Sequence, residues 1–341
     1  MKRLVVDGYG LFVGLKGDRI VVREKGSILH QAVVSDLRQV VISGKGGISF
    51  DAMESLGANG VDLIVVSWKG EVSARLSSPE MRTVQTRREQ YYAYRDERSG
   101  LLAKEFILAK LRNMYGTLGT LAKSRKESDP ERAETLNAKR EGVSSFIRRV
   151  EGLADQPVEK MRDELMGLEG AASQSYWEGV TGIIPGDFNF QIRSGRYAED
   201  PVNAMLNYGY ALLEGEVWRG VHYAGLDPYG GFLHVDRPGK PSLVLDLMEE
   251  FRQQLVDKTV LSLVTKDVVR PGSFEMVEGV CRMDDGVRRL VLKEVLGHFE
   301  RYMRFGDEKR RWSDMILLQA REIGKYLRGE SPKYEGFYLR W

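Results

Sequence analysis

Over the first 78 residues, short apolar runs alternate with glycine-rich or charged breaks. Leu4-Val5-Val6, Leu11-Phe12-Val13, Ile20-Val21-Val22, Ala32-Val33-Val34 and Val40-Val41-Ile42 are rich in β-branched residues, which suit a half-buried pleated surface. Gly8, Gly10, Lys16-Gly17-Asp18, Lys25-Gly26-Ser27 and Gly44-Lys45-Gly46-Gly47 separate them and read as turns. The pattern then predicts a helix over 49–56, a strand over 61–66, a turn at Lys69-Gly70 and a last strand over 72–75. Many short strands with glycine-rich turns predict a small sandwich or compact barrel rather than a doubly wound sheet.

Ser77-Ser78-Pro79 marks the boundary, because the apolar period changes from two to helical after Thr83. Leu101, Leu102, Phe106, Leu108, Ala109 and Leu111 recur at helical intervals among charges. The charged stretch 122–135, with Asp129-Pro130, reads as an exposed turn between helices. A helix over 158–180 carries Val158, Met161, Leu165, Leu168, Ala172 and Tyr176 as an apolar stripe. Asp200-Pro201 pairs a capping residue with the favoured first helical residue and opens a helix running to Trp218. Another starts near Ser242 with Leu243, Leu247, Phe251 and Leu255 on its apolar side. The predicted class is α+β: a small β-sandwich-like domain over 1–78, a linker over 79–86, and a larger all-α domain over 87–341.

Charge adds one local feature. The whole chain is nearly balanced, 51 Lys and Arg against 49 Asp and Glu, so a nucleic-acid surface requires local segregation. Residues 81–112 supply it, with eight basic residues against four acidic ones and Tyr91, Tyr92 and Tyr94 interleaved. That segment is either a DNA-facing surface or a solvated helix face. Cys281 is the single cysteine, which excludes an intrachain disulfide and a thiolate zinc cluster, and no catalytic use is expected of it. No apolar run approaches the ~20 residues of a membrane span, and the expected location is the cytoplasm.

No phosphate-binding loop, zinc-protease motif or serine nucleophile elbow is present, and Gly8-Tyr9-Gly10 precedes strands rather than a helix. Of four histidines, His234 stands out, because turns at Asp227-Pro228 and Arg237-Pro238-Gly239-Lys240 flank it. On a continuous helix Asp246, Glu249 and Arg252 would share a face, acidic with a cation at its edge. Glu169 lies between Gly167 and Gly170, which leave room for a backbone or substrate, or for tight helix packing. Each residue alone is more often structural than functional. Together, one imidazole and two carboxylates suit Mg²⁺ or Mn²⁺.

Several segments, in order, resemble the CRISPR-associated adaptation integrase family, the first-numbered Cas protein. They are Gly167-Leu168-Glu169-Gly170-Ala171-Ala172, Asp200-Pro201-Val202-Asn203-Ala204-Met205-Leu206-Asn207-Tyr208-Gly209-Tyr210 and Gly225-Leu226-Asp227-Pro228-Tyr229-Gly230-Gly231-Phe232-Leu233-His234. The fourth is Ser242-Leu243-Val244-Leu245-Asp246-Leu247-Met248-Glu249-Glu250-Phe251-Arg252. Weaker echoes are Arg87-Arg88-Glu89-Gln90-Tyr91, Gln319-Ala320-Arg321 and Tyr334-Glu335-Gly336-Phe337.

The resemblance implies a β domain that dimerises and a helical catalytic domain whose metal ligands are Glu169, His234 and Glu249. Asp246 and Glu250 compete for the last of these roles. Arg87, Arg88, Lys240 and Arg252 become DNA-contact candidates, and Tyr208 with Asp246 would lie around the site. The implied activity inserts spacer DNA into a CRISPR array, a 3′-hydroxyl attacking a phosphodiester with a divalent metal, Mg²⁺ or Mn²⁺. Double-stranded and branched DNA, a second copy of the chain and a small dimeric companion, the second-numbered Cas protein, would be its partners, with no membrane. A structure-specific DNase acting on branched DNA would use the same ligands, and a non-catalytic DNA-binding scaffold would use them structurally.

Overall fold

The structure is a computed structural model that describes residues 2–67, 72–78, 83–195 and 197–339. The chain divides into two compact units, Met1–Arg82 and Thr83–Trp341. The predicted turn at Lys69-Gly70 and residues 79–82 of the predicted linker lie outside the described residues.

In the first unit the strands are β1 (Lys2–Lys16), β2 (Arg19–Glu24), β3 (Ser27–Val33), β4 (Leu37–Ile48), β5 (Asp62–Val66) and β6 (Val72–Leu76), with helix α1 (Phe50–Ala58). They form one mixed sheet in the order β3-β2-β1-β4-β5-β6, with β1, β4 and β5 parallel. Two of the expected turns are strand instead. Leu4-Val5-Val6 and Leu11-Phe12-Val13 belong to one strand, whose extra residue Gly10 falls at a register shift beside β4. Gly44 to Gly47 continue β4, because a Cβ on Gly44 would lie 2.0 Å from the Gly8 carbonyl oxygen and one on Gly46 1.9 Å from that of Leu11. The glycines mark close strand approach, not chain reversal. Val6, Leu11, Val13, Ile20, Val40 and Leu63 of the sheet bury one core with Ala52 and Leu56 of α1, so the unit is one mixed sheet with edges at β3 and β6.

The second unit is helical: α2 (Val84–Ala93), α3 (Glu97–Lys123), α4 (Pro130–Glu151), α5 (Arg162–Thr181), α6 (Pro201–Tyr223), α7 (Ser242–Met248), α8 (Lys258–Thr265), α9 (Asp285–Glu300) and α10 (Trp312–Leu327). Helix α2 thus begins within the stretch read as linker. Two hairpins qualify the all-α expectation, β7 (Phe274–Val277) with β8 (Val280–Met283), and β9 (Tyr302–Phe305) with β10 (Glu308–Arg311). Cys281 is buried in β8, where burial pushes its thiol up to about 11. No helix among the described residues is long and apolar enough to cross a membrane.

Local chemistry explains the helix starts. Asp129 and Asp200 each cap a helix whose first residue is proline, accepting from the Arg132 and Asn203 amides at 3.1 and 2.8 Å. Asp129-Pro130 therefore begins α4 and only 124–129 form the turn. The stripe Val158, Met161, Leu165, Leu168, Ala172 and Tyr176 is buried as its period predicts. The helix expected from Ser242 breaks: α7 ends at Met248, and a π-helical turn at Gln253–Asp257 precedes α8.

His298 on α9 accepts from or donates to Thr259 at 2.9 Å and abuts Trp312, and burial lowers its pKa from 6.5 to about 4. The folded state then binds this proton less tightly than the unfolded chain, so its contribution is complete above pH 6.5 and lost as pH falls towards 4. Urea unfolding should show a decline on the order of 2 kcal/mol over that range, and His298→Gln should flatten it.

Candidate active site

Three separate segments converge on one ammonium. Lys110 Nζ of α3 lies 2.6 Å from Glu169 Oε1 of α5 and 2.6 Å from Oε2 of Glu249, just beyond α7. Ser173 donates to the same Glu169 oxygen at 2.5 Å, one helical turn further on. Arg252 Nε binds the other Glu249 oxygen at 3.0 Å, and its guanidinium lies 4.7 Å from the centre of the Tyr210 ring. Burial opposes the charge on Glu249, yet Arg252 and Lys110 hold its carboxyl down at about 2. Burial likewise opposes the charge on Lys110, and Glu249 and Glu169 overcome it and raise its pKa. Lys110 and Glu249 therefore stay charged as a pair at neutral pH.

His234 stands beside this cluster, close enough for its charge to act on Glu249. Its placement is the work of Asp246. One carboxylate oxygen of Asp246 accepts the Phe232 and Leu233 amides at 2.6 and 3.0 Å. The other accepts the His234 amide at 2.9 Å and lies 2.6 Å from His234 Nδ1. With Nδ1 engaged, the second ring nitrogen is the one left for a ligand or a proton. A Cβ on Gly231 would lie 2.9 Å from Asp246 Oδ2 and 2.5 Å from Ser242 Cβ, so glycine lets this loop close on α7. Arg162 of α5 holds the Phe232 and Leu233 carbonyls, both at 3.0 Å, and Gln90 of α2 binds the Asp227 and Gly230 carbonyls at 2.9 and 2.6 Å. Tyr91 donates to Asp227 at 2.5 Å, a bond that pushes its phenol up to about 12.

Asp246 and Glu249 thus have different tasks although both adjoin His234, and Glu249 pairs with Arg252 three residues on, as the spacing predicts, even though α7 ends at Met248. Glu250 faces away from both. It accepts from Gln319 Nε2 at 3.0 Å, the Phe337 amide at 2.9 Å and the Tyr334 hydroxyl, and burial raises its pKa to about 8. It anchors the segment 334–337 rather than facing Lys110. Tyr208 is buried within α6, and the tyrosine that meets Arg252 is Tyr210, whose hydroxyl reaches Asp257 at 2.5 Å. Tyr176 donates to the other Asp257 oxygen at 3.0 Å, and burial raises that carboxyl to about 6.

Among the described residues no three His, Cys, Asp or Glu side chains stand grouped to hold a metal ion. Two of the three expected ligands meet on Lys110 instead, with His234 alongside. The donor chemistry still suits a cation: two carboxylates already surround one, and Glu249 Oε2 is buried with no hydrogen bond beyond its ion pair. Gly167 and Gly170 have nothing within 4 Å of an added Cβ, so the surface around Glu169 is bare rather than tightly packed. Of the DNA-contact candidates, Arg88 is exposed and Arg87 half-buried on α2. Lys240 lines an open cleft of about 320 Å³ with Tyr91, Tyr229, Asp236 and Arg237. Lys110, Gln90 and Arg162 escaped sequence reading. Of these only Gln90 carried a signal, in the Arg87-to-Tyr91 echo.

The model of the CRISPR associated protein Cas1 family matches residues 4–296. The chain belongs to the Cas1 family. The "CRISPR-associated endonuclease Cas1 1" of Archaeoglobus fulgidus is 44% identical, with 99% of this chain and 100% of that protein aligned. Among solved structures, a casposase bound to integration product superposes with a TM-score of 0.83 at 25% identity, covering 98% of this chain and 93% of that one. A chain of a Cas6-RT-Cas1–Cas2 complex superposes at 0.82 and 17% identity over 100% of this chain and 36% of its own length, a likeness of fold. The segments around Glu169, Asp227 to His234 and Asp246 to Arg252, on which the resemblance in sequence rests, meet at the cluster together with Lys110 of α3.

Asp246→Asn should leave at least one of the three loop amides facing an NH₂ group, at a cost of about 2 kcal/mol or more. Hydrogen exchange at residues 232–234 should accelerate selectively. Unchanged exchange there would mean that Arg162 and Gln90 hold the loop without Asp246.

Proposed function

We propose that this protein is a cytoplasmic, metal-dependent DNA integrase that inserts spacer DNA into a CRISPR array by attack of a 3′-hydroxyl on a phosphodiester. The observation that carries the reading is the convergence of Glu169 and Glu249 on one cation beside a histidine whose Nδ1 is already committed. Family membership supports it, as do the endonuclease name of the archaeal relative and the integration product bound to the casposase.

Glu169, Glu249 and the free nitrogen of His234 would hold Mg²⁺ or Mn²⁺, with Lys110 giving up its place between the carboxylates. When bound, such an ion supplies Lewis-acid stabilisation of charge on phosphodiester oxygens. The chain's own part is to orient and to neutralise. Asp246 fixes the His234 ring, Arg252 offsets the Glu249 charge, and Ser173 holds one Glu169 oxygen in place. Lys110, released from two carboxylates, becomes a mobile cation within reach of a phosphate. Arg88, Lys240 and the exposed Tyr91 and Tyr229 offer charge and stacking surface for double-stranded or branched DNA near the His234 loop. Arg87, half-buried on the same helix, adds to the local positive potential.

The partner expected is Cas2, which the Cas6-RT-Cas1–Cas2 assembly contains. Homodimerisation through the β unit is supported by β3, an edge strand with Ile28 and Leu29 exposed at 49% and 46%.

Two experiments test this reading. On branched DNA with Mn²⁺ or Mg²⁺, wild type should give joined product, and His234→Ala and Glu169→Ala should give at least ~100-fold less. Hydrolysed product alone would favour a structure-specific DNase, and product surviving both changes would remove these residues from the chemistry. Separately, Lys110→Met should lower metal-free stability by about 3 kcal/mol, because it leaves Glu169 without a cation and Glu249 with Arg252 alone. Mn²⁺ should then raise the melting temperature of this variant more than that of wild type. Equal shifts would mean that metal and ammonium do not share a place.

A further inference from the structure

A second basic site lies on α3, turned away from Lys110. Arg112 is two positions on, about 200° round the helix. Its guanidinium lies 4.7 Å from the centre of the Tyr338 ring, and it binds Glu151 of α4 at 2.8 Å. Across the same hollow, Arg140 of α4 lies 4.0 Å from the centre of the Tyr115 ring. Arg112, Tyr115, Arg140 and Tyr338, with Ser144 and Ile147, line a pocket of about 440 Å³.

Two features separate this pocket from an ordinary charged surface. The first is Arg140 itself. It packs against Gly119, where an added Cβ would lie 3.1 Å from its Nε, and that Nε is buried without a hydrogen-bond partner. No carboxylate among the described residues neutralises it, so this cation rests on packing and on the Tyr115 ring. The second is the wall that bears Tyr338. The Phe337 amide is bonded to Glu250 and the Leu339 amide to Asn113 at 3.2 Å, so Tyr338 is fixed from both sides.

We propose that this pocket binds one nucleotide of single-stranded DNA, its phosphate on Arg140 and its base against Tyr338 and Ile147. Two cations with one carboxylate leave the site net positive, which selects an anion. Two fixed phenol rings and an aliphatic wall add a planar apolar surface, which selects a base along with its phosphate. The volume lies within the range of small-ligand sites. An acidic peptide would use the charge but leave the rings idle. None of the groups belongs to the Glu169–Glu249 cluster, so the site stands whether or not that cluster performs strand joining.

The test is fluorescence anisotropy with a labelled short oligothymidylate and, separately, a labelled blunt duplex, on the full chain. Arg140→Gln and Tyr338→Ser should each weaken oligothymidylate binding about tenfold, the worth of one stacked or charge-paired nucleotide, and leave duplex binding unchanged. Thymidine monophosphate should compete, whereas inorganic phosphate or triglutamate at the same concentration should not. Tyr338→Ser alters one partly exposed ring and keeps the test decisive if Arg140→Gln fails to fold. Undiminished oligothymidylate binding in the folded variants, equal losses for duplex, or competition by phosphate or triglutamate would overturn the proposal. Glu169→Gln should bind the oligothymidylate as wild type does, which separates this site from the active-site reading.

Discussion

The Lys110 ammonium, set between Glu169 and Glu249, is the constraint around which the helical unit is organised. Two carboxylates from different segments cannot be buried side by side without a cation, because repulsion and desolvation both act against them. One positive charge solves this at the cost of specifying three backbones at once. Helix α3 must present Lys110, α5 must present Glu169, and the chain after α7 must bring Glu249 to Lys110 while Asp246, equally buried, is taken up by the His234 loop. The break after Met248 meets the last demand, and the π-helical turn at Gln253–Asp257 brings Asp257 to Tyr176 and Tyr210 behind the cluster. Such turns recur at functional sites, where a regular helix would aim its side chains elsewhere.

Around that centre the structure keeps its histidine by pairing seven backbone groups of the loop that bears it with three side chains. Asp246 takes three amides, Arg162 two carbonyls and Gln90 two more. The loop needs no sheet or helix of its own to be rigid, and His234 gains a fixed ring on an accessible surface. This division between one residue that offers a nitrogen and others that aim it is usual where a metal or a proton must be met in one orientation.

Much of this was legible in the residues, and the exceptions are physical. The α5 stripe and the Asp-Pro starts of α4 and α6 announce themselves, because periodicity and capping are local. Glu169, His234 and Glu249 drew notice through their flanking glycines, turns and charges. Lys110 did not, since it is one of eight basic residues over 81–112 and nothing nearby distinguishes an inward lysine from a solvated one. The different partners of Asp246 and Glu249 were equally hidden, because helical spacing gives a common face and only the tertiary fold assigns one carboxylate to the loop and the other to Lys110. In the β unit, Gly8, Gly10 and Gly44 to Gly47 looked like turns. Glycine answers both to chain reversal and to close strand approach, and the second leaves no mark in sequence.

Glu250 carries a consequence for how the molecule comes together. The residue beside Glu249 is tied to Phe337, 87 positions away, and to Gln319 and Tyr334. A chain in which that distant segment has not docked leaves Glu250 open to water, free to ionise next to the carboxylate that faces Lys110. Such a state is strongly disfavoured, so the cluster appears whole or not at all along the folding route. Partly folded chains are in this way kept from presenting a half-built centre.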